Sequence, residues 1–454
     1  MIERNHKEEI VMLLIGNGTV VTRDEENTFI PQGAVCIEDE CICAVGDFEE
    51  LKHSYPEAEF IDAHGGLILP GFINTHHHIY SAFARGLAIP GNNPANFLEI
   101  LEGTWWKLDR KLSLKQVELS AKITYLDCIK NGVTTVFDHH ASFGNIEGSL
   151  FLIAEAAKEL GVRTCLSYEI SDRDGKDKMK DAVKENMDFL DYCRKDTSGM
   201  LSSMIGMHAS FTLSDETLNY CTEQNDGQTG FHIHVAEGSS DAAHCRENYH
   251  STVVERLLKH HILGSKSIAA HCVHIEEQDM ELLRDSNTQV VHNPESNMGN
   301  AVGCPKVLTF LEKGILVGLG TDGYTSDMLE SMKVANLLHK HESRNPSAAW
   351  GEVPAMLFEN NRRIAKQQFG RELGVLKKGA CGDVIIMDYH PFTPMKQSNI
   401  NSHLLFGMSG KDTVTTVING KVLMKDREIL PVQEELFQLS KKEAELLWKN
   451  LGCV

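Results

Sequence analysis

The sequence predicts an α/β protein, a (β/α)8 barrel of the TIM type with a small composite β-sandwich domain formed by the N- and C-terminal segments. Three observations predict it. Short β-rich runs fill the start of the chain, apolar segments then alternate with helix-length amphipathic ones, and β-rich runs return near the end. The predicted domains are 1–66 for the first part of the composite domain, 67–375 for the barrel, and 376–454 for the second part with a closing helix.

The N-terminal part of the composite domain begins at Met12, where patterned sequence starts. We expect residues 1–11 to be poorly ordered, because they form a charged extension ahead of that pattern. Runs over 13–21, 33–37 and 41–45, separated by Gly, Asp and Glu turns, indicate strands of a small antiparallel sheet.

The barrel is predicted from eight apolar segments that alternate with sequence long enough for helices. These segments are 67–75, 133–138, 163–170, 203–208, 230–235, 267–272, 288–292 and 316–321. Eight such units in about 300 residues fit one closed parallel barrel.

The C-terminal part returns to a β pattern over 383–388 and 413–419, after helical stretches at 327–342 and 354–369. We expect these strands to join the N-terminal sheet, which makes the small domain composite. The stretch 434–450 indicates a closing surface helix.

The composition excludes several classes of protein. The chain has 454 residues with Lys+Arg 44 and Asp+Glu 64, and this net charge of −20 argues against nucleic-acid binding, because phosphate contacts need an excess of Lys and Arg. Its longest apolar runs, about eight residues, are shorter than the roughly 18 that span a bilayer. Twelve Cys without a Cys-x-x-Cys pair, behind a charged N-terminus, indicate reduced thiols in the cytoplasm.

Histidines collect at the ends of the predicted barrel strands. The chain has 22 His, and eleven of them lie there, at positions 76, 77, 78, 139, 140, 208, 232, 234, 271, 274 and 292. Because the carboxyl ends of parallel barrel strands meet at one rim, we expect these imidazoles to converge.

Four strand ends offer side chains that bind metals. His76 and His78 are two apart on the first strand, so both leave the same face. The fifth strand offers His234, the sixth ends with His271, and the eighth ends with Asp322. Imidazoles with one carboxylate suit Zn²⁺ or another borderline divalent cation, with one position open for water.

Two further residues accompany His234 on the fifth strand. Glu237 follows three residues later on the adjoining loop, which fits a ligand followed by an acid. His232 has the same parity as His234 but lies one step deeper, so we expect it to be a buried, hydrogen-bonded residue.

Six motifs occur in order along nearly the whole chain: PGFINTHHH (70–78), HVAE (234–237), AHCVH (270–274), HNPESN (292–297), GLGTDG (318–323) and LGVLKKGACGDVIIMD (373–388). With these motifs the chain resembles the metal-dependent amidohydrolase superfamily, in its cytosine, adenosine and guanine deaminase and chlorohydrolase-like branch. The stretches FDHHASF, SYEISDRDG and HLLFGM are most similar to SsnA-type aminohydrolases.

The resemblance implies a mononuclear metal site with His76, His78, His234 and Asp322 as ligands. The implied ion is Zn²⁺, with Fe²⁺ as the alternative. Members of this branch commonly have Thr between the first two ligands, and His77 takes that place here, which leaves the ligand pair intact. Binuclear relatives bring a bridging carboxylated Lys or a Glu from the fourth strand, whereas that strand ends here in GMHAS.

The predicted mechanism assigns three catalytic residues. A bound divalent cation lowers the pKa of its water from about 15.7 towards 7 and so supplies hydroxide at neutral pH. Asp322 takes the proton of the water, and His271 hydrogen-bonds the hydroxide and then the developing oxyanion. Glu237 protonates a ring nitrogen and relays a proton to the leaving nitrogen.

Residues at the remaining strand ends are expected to bind the substrate. The main candidates are His139, His140, Tyr168, Arg173, His208, His292 and Asn297, and Asp138, Glu169, Asp172 and Asn293 at the same ends are also expected to set the substrate. The long connection 79–112 is expected to form a lid because it carries Gly and Pro breakers. One of Trp105 and Trp106 could cover a planar ligand, whereas at least one of them is expected to pack in the core of a helix.

The predicted function is hydrolysis of a C–N bond in a planar, purine-like nitrogen heterocycle by a metal-activated water. Ring-opening cyclic amidohydrolysis, as in imidazolonepropionase-like relatives, is the alternative, and release of free ammonia separates the two. A catalytically silent scaffold barrel is less favoured, because all four ligand positions are filled. We expect a small-molecule substrate, no nucleic-acid or membrane partner, and a homodimer, the commonest soluble assembly.

Overall fold

The computed structural model describes residues 12–430 and 434–453. The strands are β1 (Met12–Val21), β2 (Phe29–Glu38), β3 (Cys41–Asp47), β4 (Glu59–Asp62), β5 (Leu67–Pro70), β6 (Phe72–His77), β7 (Val133–His140), β8 (Arg163–Tyr168), β9 (Leu201–Ser203), β10 (Ile205–Ala209), β11 (Phe231–Val235), β12 (Ile268–His271), β13 (Gln289–His292), β14 (Val317–Leu319), β15 (Val384–Met387), β16 (Thr413–Ile418), β17 (Lys421–Lys425) and β18 (Glu428–Ile429). The prediction for residues 1–11 concerns a segment outside the described residues.

The α-helices of the described residues follow the barrel strands and the sheet. They are α1 (Phe48–Ser54), α2 (Phe97–Ile100), α3 (Trp106–Asp109), α4 (Leu114–Lys130), α5 (Ser149–Leu160), α6 (Lys176–Lys195), α7 (Asp215–Asn225), α8 (Ser239–Tyr249), α9 (Val253–Lys259), α10 (Glu277–Asp285), α11 (Pro294–Gly299), α12 (Val307–Glu312), α13 (Met328–Ser343), α14 (Glu352–Ala355), α15 (Asn361–Phe369), α16 (Ile400–Gly407) and α17 (Glu434–Asn450). Over 12–430 and 434–453, none of the helices is both long and apolar enough to cross a membrane.

The barrel has eight parallel strand positions, which β6 to β14 provide. Strands β6 to β9 and β10 to β14 form two parallel sheets, and β9 and β10 are two halves of one barrel strand interrupted at Met204. A bridge between Ile170 and Met207 joins the two sheets, and a bridge between His77 and Asp322 closes the ring. The predicted (β/α)8 fold is confirmed, with a broken fourth strand.

The first predicted barrel segment, 67–75, is wrong in its first half. Leu67–Pro70 pairs with β1 and β15 in the composite sheet, and the first barrel strand begins only at Phe72. The apolar pattern shows no break because both strands are fully buried. The junction is Gly71, where a Cβ atom would lie 2.1 Å from the Thr134 side chain.

The composite domain is one nine-stranded mixed sheet built from both ends of the chain. Its order is β18-β17-β16-β15-β5-β1-β2-β3, with β4 paired to β1. Ile15 and Val35 from the N-terminal segment share one core with Val384, Ile386 and Val417 from the C-terminal segment. The predicted return of the C-terminal strands to the N-terminal sheet is confirmed.

Two helices show how the outer layer attaches to the barrel. α4 begins with a capping box, in which Ser113 Oγ accepts from the Gln116 amide and the Gln116 side chain accepts from the Ser113 amide. α17 is held in part by its Trp448, whose indole N–H donates to the Phe83 carbonyl at 2.7 Å. The C-terminal helix therefore contacts the segment that follows the first barrel strand.

A buried ion pair links the barrel to the composite sheet. Arg163 opens β8, and its guanidinium pairs with Asp383 and donates to Asn419 Oδ1 at 3.2 Å. Asp383 also accepts from the Asn419 amide at 2.8 Å. All three side chains are buried, so the charge of each ion depends on the other.

Removing one partner of this pair should destabilise the fold. We expect Asp383→Ala to lower the free energy of unfolding by about 3–5 kcal/mol, because Arg163 would remain buried without a counter-charge. Urea denaturation followed by circular dichroism measures the change.

The matched control is Asp188→Ala, which breaks the exposed pair between Lys184 and Asp188. That pair should contribute less than about 1 kcal/mol. Equal losses in the two variants would show that burial of the Arg163 pair has no special importance.

Candidate active site

Two backbone hydrogen bonds to His76 close the rim of the barrel. The amides of Thr321 and Asp322 donate to the His76 carbonyl at 3.1 and 3.0 Å. This pairing joins the last barrel strand to the first and brings Asp322 Oδ1 to 3.3 Å from His78 Nε2. Asp322 itself has left-handed backbone (φ 55°), a strained conformation of the kind that clusters at active sites.

Backbone carbonyls set the proton positions on His78 and His234. His78 Nδ1 donates to the His139 carbonyl at 2.5 Å, and His234 Nδ1 donates to the His208 carbonyl at 2.9 Å. Because a carbonyl only accepts, both neutral rings carry their proton on Nδ1 and expose a lone pair on Nε2. These two Nε2 atoms face each other at 3.2 Å. The arrangement is repulsive without a cation, and it is the one that metal-ligating imidazoles adopt.

Two more imidazole nitrogens point to the same conclusion. His76 Nε2 and His271 Nε2 are buried and have no hydrogen-bond partner among the described residues. With His234 they form one group of ligand atoms within 4.8 Å of one another, and His76, His78 and Asp322 form another. A buried nitrogen without a partner costs free energy. The four predicted ligands therefore belong to overlapping groups that could hold a divalent cation, and their assignment as one ligand set stays a prediction.

Two carboxylates flank His271 Nε2, Glu237 at 3.5 Å and Asp322 at 3.4 Å. Burial and the charge of Asp322 raise the pKa of Glu237 well above its usual range, although a hydrogen bond from Asn300 opposes this. Burial also raises the pKa of Asp322, but His78 and His271 outweigh burial and leave that pKa below its usual value. The protonated form is therefore favoured at Glu237 and the ionised form at Asp322.

A second group of buried ligand atoms lies beside the first. It comprises His78, His139, Glu169 and His234, with ligand atoms within 4.8 Å of one another. Burial alone would raise the pKa of Glu169. The opposing effect of His208 and His139 is larger and lowers that pKa to about 2. The predicted absence of a bridging ligand rests on the fourth strand, whereas this carboxylate comes from the end of the third. The prediction of a single metal ion therefore needs a direct test.

His232 makes the buried hydrogen bond expected of it. Its Nε2 lies 2.8 Å from His76 Nδ1, behind the proposed ligands. The remaining nitrogen of His76 is the unpartnered Nε2, so this contact orients the ring.

A pocket adjoins these side chains, and aromatic rings form much of its wall. They are Tyr80, Phe97, Trp105, Trp106, Phe211 and Tyr324. Four of the six come from the connection 79–112, and the prediction that this segment forms a lid stays a prediction. Flat aromatic faces suit a planar ring.

Of the seven predicted substrate-binding residues, His208 lines the pocket. Its Nδ1 lies 2.8 Å from Thr212 Oγ1, and burial lowers its pKa to about 4, so the ring is neutral. His140 and Tyr168 lie outside the lining. Both contact Ser142, whose hydroxyl lies 3.0 Å from His140 Nε2 and whose amide donates to the Tyr168 hydroxyl at 3.0 Å.

Three more of these candidates also lie outside the lining. His139 Nε2 donates to the His232 carbonyl at 3.0 Å, and His292 Nε2 lies 3.1 Å from His339 Nε2. Asn297 Oδ1 accepts from His271 Nδ1 at 2.8 Å, so it orients a predicted catalytic residue. Neighbouring residues at a strand end face opposite sides, which is why position at an end does not by itself identify a pocket residue.

Arg173 supports the pocket wall from behind. Its guanidinium pairs with the buried Asp109 and lies over the rings of Phe143, at 4.0 Å, and Trp106, at 5.2 Å. The structure therefore gives it a packing role next to a wall residue, where the sequence predicted substrate contact.

Several lining residues were not singled out from the sequence. Tyr80, Phe97, Phe211, Asn300 and Tyr324 line the pocket from connections, where single residues follow no periodic pattern. The available signals were the predicted lid 79–112, which contains Tyr80 and Phe97, and the position of Tyr324 two residues after Asp322.

Two models of known protein families match this sequence. A family model described as the amidohydrolase family matches residues 67–423, and a model described as the imidazolonepropionase-like composite domain of bacteria matches residues 33–58. The chain belongs to the amidohydrolase family. The predicted class of enzyme, a hydrolase acting on carbon–nitrogen bonds other than peptide bonds, is confirmed.

Curated relatives cover nearly the whole chain. A 5'-deoxyadenosine deaminase of Methanosarcina mazei is 32% identical over 442 residues, 96% of this chain and 98% of its own length. A 5-methylthioadenosine/S-adenosylhomocysteine deaminase of Thermococcus sibiricus is 33% identical over 91% of this chain and 94% of its own length.

Two solved structures show the same fold. An adenosine deaminase from Xanthomonas campestris with bound zinc has a TM-score of 0.85 at 19% identity, with 97% of this chain and 99% of that chain covered. The atrazine chlorohydrolase TrzN from Arthrobacter aurescens, complexed with zinc, has a TM-score of 0.80 at 23% identity, with 96% and 100% covered.

Removing a central ligand should release the metal. We expect His234→Ala, prepared from metal-supplemented culture, to lose most of its metal, because the remaining ligands leave Asp322 partly uncompensated. Elemental analysis of wild type should give one ion per chain.

The control is His390→Ala, an exposed residue paired only with Asp388 among the described side chains, which should keep the metal. Full metal content in His234→Ala would contradict the ligand assignment. Two ions per wild-type chain would contradict the single-metal prediction and point to the group that contains Glu169.

Proposed function

We propose that this protein is an aminohydrolase that removes an amino group from a purine-like ring, with one divalent ion as cofactor. The observation that carries the proposal is the pair of buried carboxyls on either side of His271, with pKa values pushed in opposite directions. Such a pair supplies an acid and a base at the same pH.

The ion is proposed to be Zn²⁺, with Fe²⁺ as the alternative, held by His76, His78, His234 and Asp322. Imidazole nitrogens with one carboxylate oxygen suit zinc, and the solved structures named above contain it. When bound, a divalent ion supplies a Lewis acid that makes water nucleophilic at neutral pH.

The side chains of the protein then handle the protons. Ionised Asp322 accepts a proton from the attacking water. Glu237, whose Oε1 accepts from Asn300 at 3.4 Å, donates its proton to a ring nitrogen and so makes the adjacent carbon electrophilic. His271 donates from Nδ1 to Asn297, so its free Nε2 accepts from the water, takes up the second proton of that water and then donates to the oxyanion. Glu237, reprotonated from His271, relays that proton to the leaving nitrogen, so collapse of the tetrahedral intermediate forms the ring carbonyl and releases ammonia. The proton held by Asp322 then restores Glu237.

The substrate class rests on the pocket and on the relatives. Aromatic walls suit a planar ring, and the curated relatives named above act on adenine nucleosides by their names. The ring-opening alternative has less support, because the imidazolonepropionase-like match covers only residues 33–58, within the composite sheet. A silent scaffold has little support, since all proposed ligands are present.

The cytoplasmic location and the homodimeric assembly stay predictions. Size-exclusion chromatography with light scattering measures the second, with two chains per particle as the expected result.

Ammonia release tests the reaction. Metal-loaded enzyme should release ammonia from 5'-deoxyadenosine or 5'-methylthioadenosine and shift the ultraviolet spectrum of the purine. Loss of ring absorbance without ammonia would instead indicate ring opening. A metal-loaded enzyme without turnover on any purine or pyrimidine would favour the scaffold.

The two carboxylates should respond differently to amide substitution. We expect Glu237→Gln to keep the metal and much of the substrate affinity while kcat falls by roughly 10² or more, because Gln keeps the shape but cannot carry the proton. Asp322→Asn should lose both turnover and metal, since that carboxylate is ligand and base together.

Elemental analysis and turnover, measured side by side on both variants, check this. If Glu237→Gln loses the metal while Asp322→Asn keeps it and stays active, the two roles are exchanged and the mechanism is wrong.

A further inference from the structure

Glu169 is a buried carboxylate that faces the pocket and has no role in the mechanism above. It follows β8, is 3% exposed and lines the pocket. Its closest ionisable contacts are imidazoles, His139 Nδ1 at 3.3 Å and His234 Nδ1 at 3.9 Å. Within 12–430 and 434–453, no Lys or Arg forms an ion pair with it.

The rest of the lining offers no cation either. No Lys or Arg belongs to the described pocket lining, whereas four carboxyl residues do. Arg173, which lies behind the wall, is already paired with Asp109. A substrate carboxylate or phosphate placed against Glu169 would therefore meet a like charge, and no Lys or Arg of the described lining would offset it.

The four carboxyl groups of the lining, Glu169, Glu237, Asp241 and Asp322, make different contacts. Asp241 accepts from the backbone amides of Phe211 and Ala236, at 2.9 and 3.0 Å, and so fixes the loop. Glu237 and Asp322 flank His271. Glu169 lines the pocket, and its nearest ionisable contact among the described residues is the His139 imidazole at 3.3 Å. Its carboxylate can therefore accept a charge-assisted hydrogen bond from a substrate N–H or O–H that enters the pocket.

We infer that Glu169 selects the substrate: it accepts a hydrogen bond from an N–H or O–H of a neutral purine or purine nucleoside and rejects substrates that carry a carboxylate or a phosphate. This inference rests on the proposed function and narrows it. Among molecules named for the relatives, 5'-deoxyadenosine and 5'-methylthioadenosine fit this site, whereas S-adenosylhomocysteine, with its amino-acid carboxylate, does not.

The donor on the substrate has two possible sources, a ring N–H or a sugar hydroxyl. Adenine has the first and lacks the second. Comparison of adenine, 5'-deoxyadenosine and 2',3',5'-trideoxyadenosine, which lacks the hydroxyls and the ring N–H at that edge, distinguishes them. Loss of activity on both adenine and the trideoxy compound identifies the hydroxyls as the donor, whereas activity on adenine with loss on both nucleosides identifies the ring N–H.

The test measures charge preference in wild type and in Glu169→Gln, both metal-loaded. Wild type should prefer 5'-deoxyadenosine over AMP and over S-adenosylhomocysteine by at least tenfold in kcat/KM. Glu169→Gln should keep its metal and lose about tenfold in kcat/KM on 5'-deoxyadenosine, mostly through KM, because a neutral acceptor forms a weaker hydrogen bond than a carboxylate. Its preference against AMP should fall by about tenfold or more.

The matched control is Glu185→Gln. Glu185 is also buried and accepts from the amides of Gly148 and Leu150, at 2.8 and 2.9 Å, and it does not line the pocket. Its substitution should leave the preference unchanged.

Binding provides a readout that does not require turnover. Quenching of tryptophan fluorescence by 5'-deoxyadenosine and by AMP should show the same preference, since Trp105 and Trp106 line the pocket. An enzyme that binds the neutral nucleoside selectively but releases no ammonia contradicts the proposed reaction and keeps the inference.

Three results would overturn the inference itself. They are equal use of neutral and anionic substrates by wild type, an unchanged preference in Glu169→Gln, and loss of the metal from Glu169→Gln. The last would place Glu169 among the metal ligands.

Discussion

The active site depends on the closure of the barrel at His76. The amides of Thr321 and Asp322 donate to one carbonyl, and this contact joins strands that lie more than 240 residues apart in the chain. Closure brings Asp322 to the imidazoles of His78 and His271. Without it, the ionised carboxylate and the imidazoles would lie on two edges of an open sheet, and neither the metal site nor the acid–base pair would exist.

Because so many polar side chains converge at the rim, buried imidazole nitrogens there lack a hydrogen-bond partner among the described residues, and a bound ligand would provide one. Burial lowers the pKa of His76, His78 and His234, so the rings are neutral and present lone pairs. The carbonyls of His139 and His208 fix which nitrogen carries each lone pair. Because the same backbone that forms the strands also sets these proton positions, the fold prepares the site for a cation before one binds.

The pocket lining combines polar residues at the rim of the barrel with residues from the connections that follow the strands. Trp106 packs against Phe211 and lies next to the Arg173 guanidinium, which Asp109 holds. The charge that could have met an anionic substrate is thus used inside the protein. Relatives of similar identity carry names for substrates with and without an amino-acid carboxylate. The carboxylate of Glu169 is the feature of this pocket that we propose selects among such substrates.

The sequence by itself determined the order of the barrel strands, the composite sheet and the candidate ligands at the rim. Those features follow from local patterns: apolar periodicity marks strands, and two-residue spacing places His76 and His78 on one face. Tertiary structure alone decided which strand-end residues reach the pocket, and it gave Leu67–Pro70 to the neighbouring sheet. His139, His292 and Arg173 sit at strand ends like the proposed ligands, yet they contact other protein groups, while Glu169 faces the pocket. The physical reason is that a pattern records whether a side chain is buried, whereas its partner depends on side chains that packing brings from distant parts of the chain.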